Sequence, residues 1–461
     1  MPRTSGRYDC GKLAESQNCC SVHSFPLESK LRILRRIRKR LPFWGTITGI
    51  VLVILAYVFG VGWMQSLRPG FYQLSDLFTN RLIDVTIFLW LFWFGSSIGS
   101  FLNVVAWRMP RGVSVSGRSH CPRCETTLRS VDNIPVLGWL ALGGRCRTCR
   151  LPISPRYPIV EFFVGASLAA IGIFELYNFA LPHRMIHSHG GPLWAPRVTQ
   201  PTIVMLIFHA VAVACSWAMG LIRWDKHRLP SKVVVFSLAA VIIPILAWPT
   251  FMVVHWKSPR PDQWWPHGQY LNAVMRVITG LVAAAIMGRS LAKGLCPNAD
   301  PKMNPLGGDT KKLIDLIIIL AIPAVTVGWQ ASLAITLMAS AIALVISPFV
   351  PRNLDALARF AISIPVVLAI QITLWRQLDN AWIWPSENSD PKVLLAFGAM
   401  VLCIPIWLND RNRVLDESEF SSGSAASETV DSEKSDDDSD DDGNNATGFQ
   451  PNPATPPLDA D

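Results

Sequence analysis

Four cysteines stand in the pattern Cys121-x2-Cys124-x21-Cys146-x2-Cys149. One CxxC turn can wrap an edge of a tetrahedral metal, and two such turns close a four-thiolate site. Soft thiolates with no open coordination position favour Zn2+ in a structural role. A disulfide pair or redox chemistry at CxxC are the alternatives, and a disulfide suits a reducing cytoplasm less well. The loop carrying the cysteines is too small to have a core of its own. The metal is therefore expected to support a site rather than to be one.

Two aspartates are the other residues whose placement could do chemistry. Asp225 and Asp309 each sit at the edge of an apolar block, on what the charge pattern makes the same face of a membrane. Charge at that depth is costly and tends to be functional or paired. Two carboxyls brought close do not both ionise easily, so one holds a proton while the other activates water. That is general acid–base peptide hydrolysis without a covalent intermediate. Gly307 and Gly308 allow close backbone approach beside Asp309, as an extended substrate strand requires. The plainer alternatives are a charged cap for Asp225, paired with Lys226 or Arg228, and a helix N-terminus for Asp309. Arg223 and Arg228 put positive charge around Asp225, so Asp309 is expected to carry the shared proton. Asp315, six residues after Asp309, points to a different helix face, and Asp84 near a membrane edge needs no special role.

The elements that must position these residues are apolar. Half of the 461 residues are hydrophobic and only 16% are charged. The apolar residues fall in ten blocks, near 46–66, 83–105, 158–176, 202–222, 232–254, 270–289, 313–331, 332–349, 357–375 and 392–408. Each is about the length that crosses a bilayer as a helix. Trp63, Trp107, Trp248, Trp256, Trp329 and Trp375 lie close to block edges, as an aromatic belt would place them. The expected fold is an all-α polytopic membrane protein of about 8–10 transmembrane helices with a cytoplasmic four-cysteine zinc loop.

The net charge of +9 combines two opposed parts, because residues 409–461 hold 15 acidic and 3 basic side chains. Outside that tail the positive excess follows the positive-inside rule, which accounts for it without nucleic acid. The 106–157 loop has nine Arg against Glu125 and Asp132, so it is expected in the cytoplasm, with both termini on the same side. Six basic residues from Arg32 to Arg40 precede the first block and act as a stop on that side; the block begins too late and runs too long for a cleavable signal. His183, His187 and His189 share one outer loop without a Cys or carboxylate nearby and are read as ordinary polar residues. Cys10, Cys19 and Cys20 have no interpretable spacing, and Cys215 and Cys403 lie inside apolar blocks as small buried thiols. The expected divisions are a basic arm (1–44), an extra N-terminal helix and outer loop (45–82), the first core helix with the zinc loop (83–157), the peptidase core (158–350), C-terminal helices (351–408) and a disordered acidic tail (409–461).

The motifs resemble those of the type IV prepilin leader peptidase/N-methyltransferase family, the bifunctional GxGD-type membrane aspartic proteases. The resemblance rests on GSFLNVVAWRMPRG (99–112), CPRC (121–124) and DNIPVLGWLALGGRCRTCRLPISPRYPIVE (132–161), and covers roughly residues 85–350. It implies cleavage of prepilins or type II secretion pseudopilins at the cytoplasmic face of the bacterial inner membrane. Methylation of the new amino terminus from S-adenosylmethionine follows. The family segment LIDxDHxxLPD reads LIRWDKHRLPS (221–231) here, which aligns Asp225 with the catalytic position and puts Arg223 and Ser231 where the family has acids. The GxGDxK motif reads Leu306-Gly307-Gly308-Asp309-Thr310-Lys311, with Leu306 in place of the first glycine. Gly307, Gly308 and Lys311 are thus implied as supporting residues. Glu161, in the YPIVE signature, is implied in orienting the loop or the methyl-transfer site. No glycine-rich nucleotide loop is present, so a methyl-donor site is implied by resemblance alone and is expected near the zinc loop. A catalytically silent scaffold and a transporter with Asp225 and Asp309 as ion ligands are the readings from other classes.

Overall fold

A chain immersed in hydrocarbon must satisfy its backbone polar groups internally, and helices do so within one segment. The computed structural model of the chain describes residues 44–67, 73–121, 123–181, 196, 198–253, 268–350, 354–387 and 389–408. The basic arm with Cys10, Cys19 and Cys20, the histidines His183, His187 and His189, Trp256 and the acidic tail lie outside the described residues.

The apolar blocks form helices: α1 (Trp44–Ser66), α2 (Leu74–Arg108), α3 (Arg156–Leu176), α4 (Gln200–Trp224), α5 (Ser231–Ala247), α6 (Gly268–Leu295), α7 (Gly308–Val327), α8 (Trp329–Ile346), α9 (Ala356–Thr373) and α10 (Pro391–Leu408). Among the described residues, seven helices are long and apolar enough to cross a membrane, and α5 and α10 supply two shorter apolar segments. The fold is all-helical; the pairing of extended backbone among the described residues is limited to two isolated bridges in the cysteine loop. Hydropathy placed the blocks well but the edges less so. The 232–254 block stops at Ala247, where Pro244 and then a 3-10 turn at Pro249–Phe251 end the helix. α7 opens on Asp309, Lys311 and Lys312, so its charged first turn lies ahead of the 313–331 block. α7 and α8 are joined at Gly328 alone, whose φ of +104° suits a residue without Cβ.

Two of these helices position the cysteine loop. α2 and α3, between which the cysteine loop hangs, approach at backbone distance. A Cβ on Gly99 would come within 2.9 Å of the Glu161 Cα, and one on Gly165 would meet backbone and side chain of Ser96. Small residues spaced along one face give helices in lipid this close approach. α7 runs through the interior, with every residue from Ile319 to Val327 buried. Its N-terminus meets the α4–α5 connection at the cysteine-loop end, where Arg228 donates to the Lys311 carbonyl at 3.4 Å.

Candidate functional site

The cysteine loop repeats one local structure twice. In the first knuckle the Glu125 N–H donates to the Cys121 carbonyl (2.9 Å) and the Cys121 N–H to Thr126 (3.0 Å); in the second, Arg150 donates to Cys146 (3.1 Å) and Cys146 to Leu151 (2.9 Å). Glu125 and Arg150, each following the second cysteine of its pair, have φ of 55° and 61°. This turns the two thiols of each pair toward a common centre. All four ligand sulfurs lie within 4.8 Å of one another, and both Cys121–Cys149 and Cys124–Cys146 are 3.9 Å apart. Tetrahedral Zn–S bonds of about 2.3 Å put sulfurs about 3.8 Å apart, so this donor set fits zinc. Hydrogen bonding by the Thr126 side chain and then its backbone pulls the Cys124 thiol down to about 6, toward the thiolate a metal needs.

The knuckles are braced from both sides. Asp132 takes a forked bond from Arg147 (2.9 and 2.5 Å), which holds its carboxyl below the usual range. Arg108 at the end of α2 donates to the carbonyls of Ser114 and Ser116 (3.2 and 2.7 Å), and Trp139 Nε1 to Ile153 (3.0 Å). Glu161 reaches back from α3 to accept the Val136 N–H at 2.7 Å. Val136 adopts φ +61°, a costly conformation for a β-branched residue, so the carboxylate holds a strained turn in place. Between this turn, the knuckles and the ends of α2 and α3 lies a cavity of about 180 Å³, lined among others by Asn103, Trp107, Trp139, Tyr157 and Glu161.

The two aspartates come to the same end of the bundle, each with a cation. Asp225 caps α4 and receives both guanidinium nitrogens of Arg156, the first residue of α3, with Nη2 at 2.9 Å from Oδ2. Asp309 lies in the first turn of α7 with Lys312 Nζ at 2.7 Å. Among the described residues no hydrogen bond joins Asp225 to Asp309. The expected surroundings of Asp225 are corrected. Arg223 and Arg228 turn to Asp315, at 3.5 and 3.7 Å, rather than to Asp225. The lysine on Asp309 is Lys312, one helical turn on, while Lys311 contributes its carbonyl to Arg228.

Asp315 does face away from Asp309, into the interior, and there accepts the Leu229 N–H at 3.4 Å as well. It therefore pins the connection that follows Asp225 onto the helix that carries Asp309. Asp84 likewise has a role, since Tyr57, Tyr177 and Arg81 all bind its carboxylate and tie α1 to α2 and α3. Arg81 and Asp84 are three residues apart on one helix, but the other partners lie far apart along the chain, so the sequence carries no signal for those pairings. Gly307 packs its α-carbon against Asn304, whereas a Cβ on Gly308 would meet nothing within 4 Å. Packing in this structure thus gives no reason for glycine at 308, and the space beside Asp309 is open. Cys296 is buried next to this network, and desolvation pushes its thiol up to about 12, away from the thiolate form.

Residues 93–174 match the family model of the Bacterial Peptidase A24 N-terminal domain. The chain is 54% identical over 78 residues to the prepilin leader peptidase/N-methyltransferase of Myxococcus xanthus (strain DK1622), covering 17% of this chain and 23% of that one. It is 48% identical over 90 residues to the type 4 prepilin-like proteins leader peptide-processing enzyme of Escherichia coli O78:H11 (strain H10407 / ETEC), covering 15% and 34%. With the prepilin leader peptidase/N-methyltransferase of Klebsiella pneumoniae it shares 44% over 95 residues, covering 18% and 42%. The chain thus spans less than half the length of these relatives. No solved structure matches it. The matched family domain takes in the four cysteines and Glu161 and ends before Asp225 and Asp309.

Proposed function

From the premise that residues 93–174 are a bacterial peptidase A24 N-terminal domain, we propose that the chain cleaves the leader of type IV prepilins or type II secretion pseudopilins and N-methylates the new amino terminus. The observation that carries this reading is the Arg156–Asp225 bridge. It joins the segment shared with the relatives to the loop that bears the first candidate catalytic acid.

In this reading Asp225 and Asp309 are the hydrolytic pair. One carboxylate takes a proton from water as the water oxygen adds to the scissile carbonyl, and the other, protonated, delivers its proton to the leaving amine. Arg156 and Lys312 hold the two acids apart in the free protein, and both release when the substrate strand enters. The open space at Gly308 gives that strand its path beside Asp309. The reaction takes place on the cytoplasmic side, where the positive-inside rule places the Arg-rich loop and both termini. Zn2+ on Cys121, Cys124, Cys146 and Cys149 holds the loop's shape.

S-adenosylmethionine, the methyl donor by analogy with the relatives' names, brings a methyl group on a cationic sulfonium. The cavity beside Glu161 suits such a charge, with a carboxylate and the rings of Trp107, Trp139 and Tyr157 around it. Glu161 and Asn103 orient the bound molecule and keep the Val136 turn closed over it.

The test is mass spectrometry of a prepilin co-expressed with the protein, reading the new N-terminus for cleavage and an added methyl. Asp225→Asn and Asp309→Asn are expected to leave the leader uncut while zinc content is kept; Glu161→Gln gives cut but unmethylated product. Cleavage surviving both aspartate changes sinks the peptidase reading. One observation favours a second reading, a catalytically silent scaffold: each aspartate is already neutralised by a cation. A wild-type protein that leaves the prepilin uncut would select it.

A further inference from the structure

Asp225 is the firmly built half of its bridge with Arg156. The end of α4 closes on itself around the aspartate. The Asp225 N–H donates to the Leu221 carbonyl (3.1 Å), that of Lys226 to Arg223 (2.9 Å) and that of His227 to Ile222 (3.2 Å). Lys226, with φ +60°, turns the chain directly after it. These bonds fix the backbone that carries the carboxylate. Arg156 instead reaches in from α3 on a long, partly exposed side chain, so the guanidinium is the part that can swing away.

By its chemistry the fork is a carboxylate site. Both terminal nitrogens of Arg156 donate to one carboxyl group, with Nη2 at 2.9 Å from Oδ2. A guanidinium matches a carboxylate at two points, where a lysine offers only a point charge. Lys312 makes such a one-point contact to Asp309, from three residues away on the same helix. Among the described residues, Asp225 is the one acid paired with Arg156.

In the hydrolysis assigned above, substrate entry frees Arg156 from Asp225 and leaves the fork without its anion. Water adds to the scissile carbonyl carbon, the C–N bond breaks, and both water protons end on the amine of the mature chain. The leader departs with a new α-carboxylate, ionised at neutral pH. That anion forms beside Asp225, which repels it, and the vacated fork is the matching group at hand. We propose, resting on that hydrolysis, that Arg156 is the receiving site for the leader's new C-terminal carboxylate, a product subsite that Asp225 fills in the free protein. The next residue, Tyr157, and Glu161, one turn on, line the cavity on a different side of the same helix start. The first turn of α3 thus parts the two products, holding the carboxylate at Arg156 while the amine passes toward Glu161.

The experiment uses the full-length, zinc-loaded protein in detergent. Its probe is the leader of the co-expressed prepilin, synthesised as the free acid and as the C-terminal amide, each with a fluorescent label at the amino end. Fluorescence anisotropy gives the two dissociation constants, and binding needs no turnover, so inactive variants are read equally well. Wild type is expected to hold the acid about threefold or more tighter than the amide. Asp225→Asn removes the competing internal carboxylate and widens this preference about two- to tenfold, although cleavage is lost. Arg156→Gln brings the preference to near one. Arg156→Lys, which serves alone should Arg156→Gln fail to fold, keeps less than half of it. A merely structural Arg156 would shift both peptides alike. Equal binding of acid and amide by a wild type that cuts the prepilin overturns the subsite and leaves the peptidase standing. A preference that survives both Arg156 changes, or that Asp225→Asn does not widen, overturns it as well. A wild type that neither cuts the prepilin nor binds either peptide removes the function and the subsite together.

Discussion

Arg156, the first residue of α3, forks onto Asp225, the residue that caps α4. The two are brought together because Gly99 and Gly165 seat α3 directly against α2, which fixes where α3 begins. With side chains 31% and 17% exposed, the pair is screened by solvent, so its contribution is modest. A double-mutant cycle of Arg156→Gln and Asp225→Asn, read by thermal unfolding, is expected to give a coupling of about 0.5–1.5 kcal/mol. Arg156→Lys retains less than half of it, because a lysine cannot make the fork. A coupling near zero would dissociate the cysteine loop from the aspartate.

Asp315 and Arg223 behave differently, since their side chains are only 2% and 1% exposed. Asp315→Leu leaves a buried guanidinium uncompensated and is expected to cost about 3 kcal/mol in denaturant unfolding. The double change Asp315→Leu with Arg223→Met recovers most of that loss. Equal destabilisation by the single and double variants would show that the pairing contributes nothing beyond packing.

Gly308→Ala separates folding from activity. Its Cβ would enter open space in the free protein, so the unfolding temperature is expected to stay within about 1 °C of wild type. On the proposed function, leader cleavage is expected to fall about tenfold or more, because the methyl group would occupy the path assigned to the substrate beside Asp309. Unchanged cleavage in a kinetic assay would place the substrate elsewhere.

The Asp132–Arg147 fork supplies a pH dependence. Arg147 holds the Asp132 carboxyl below the usual carboxylate range, so its contribution is fully present above about pH 4 and is lost as pH falls through the lowered value. Asp132→Asn is therefore expected to release zinc to a chelator a few times faster than wild type at every pH from 5 to 7. The gap between the two closes only below the ordinary carboxylate range. A gap that instead opens or closes between pH 5 and 7 would point to a different group.

The chain by itself determined the helices and the four-cysteine cluster, because both are local. A run of about twenty apolar residues has one way to satisfy its backbone in hydrocarbon, whatever its neighbours do. A CxxC knuckle closes through bonds between residues four and five apart, so Cys121, Cys124, Cys146 and Cys149 could be read as a cluster from spacing alone. Element edges were less legible, since Pro244 and the charged first turn of α7 set them through backbone chemistry that hydropathy averages away.

Only the tertiary structure decided which cation meets which acid. Arg156, Arg223 and Arg228 are chemically alike, and two of them lie closer to Asp225 in sequence than the one that binds it. The choice follows from helix packing, which carries Arg156 across 69 positions to Asp225 and turns Arg223 across 92 positions to Asp315. Partner energies of one or a few kcal/mol leave no periodicity or spacing in the chain to betray them.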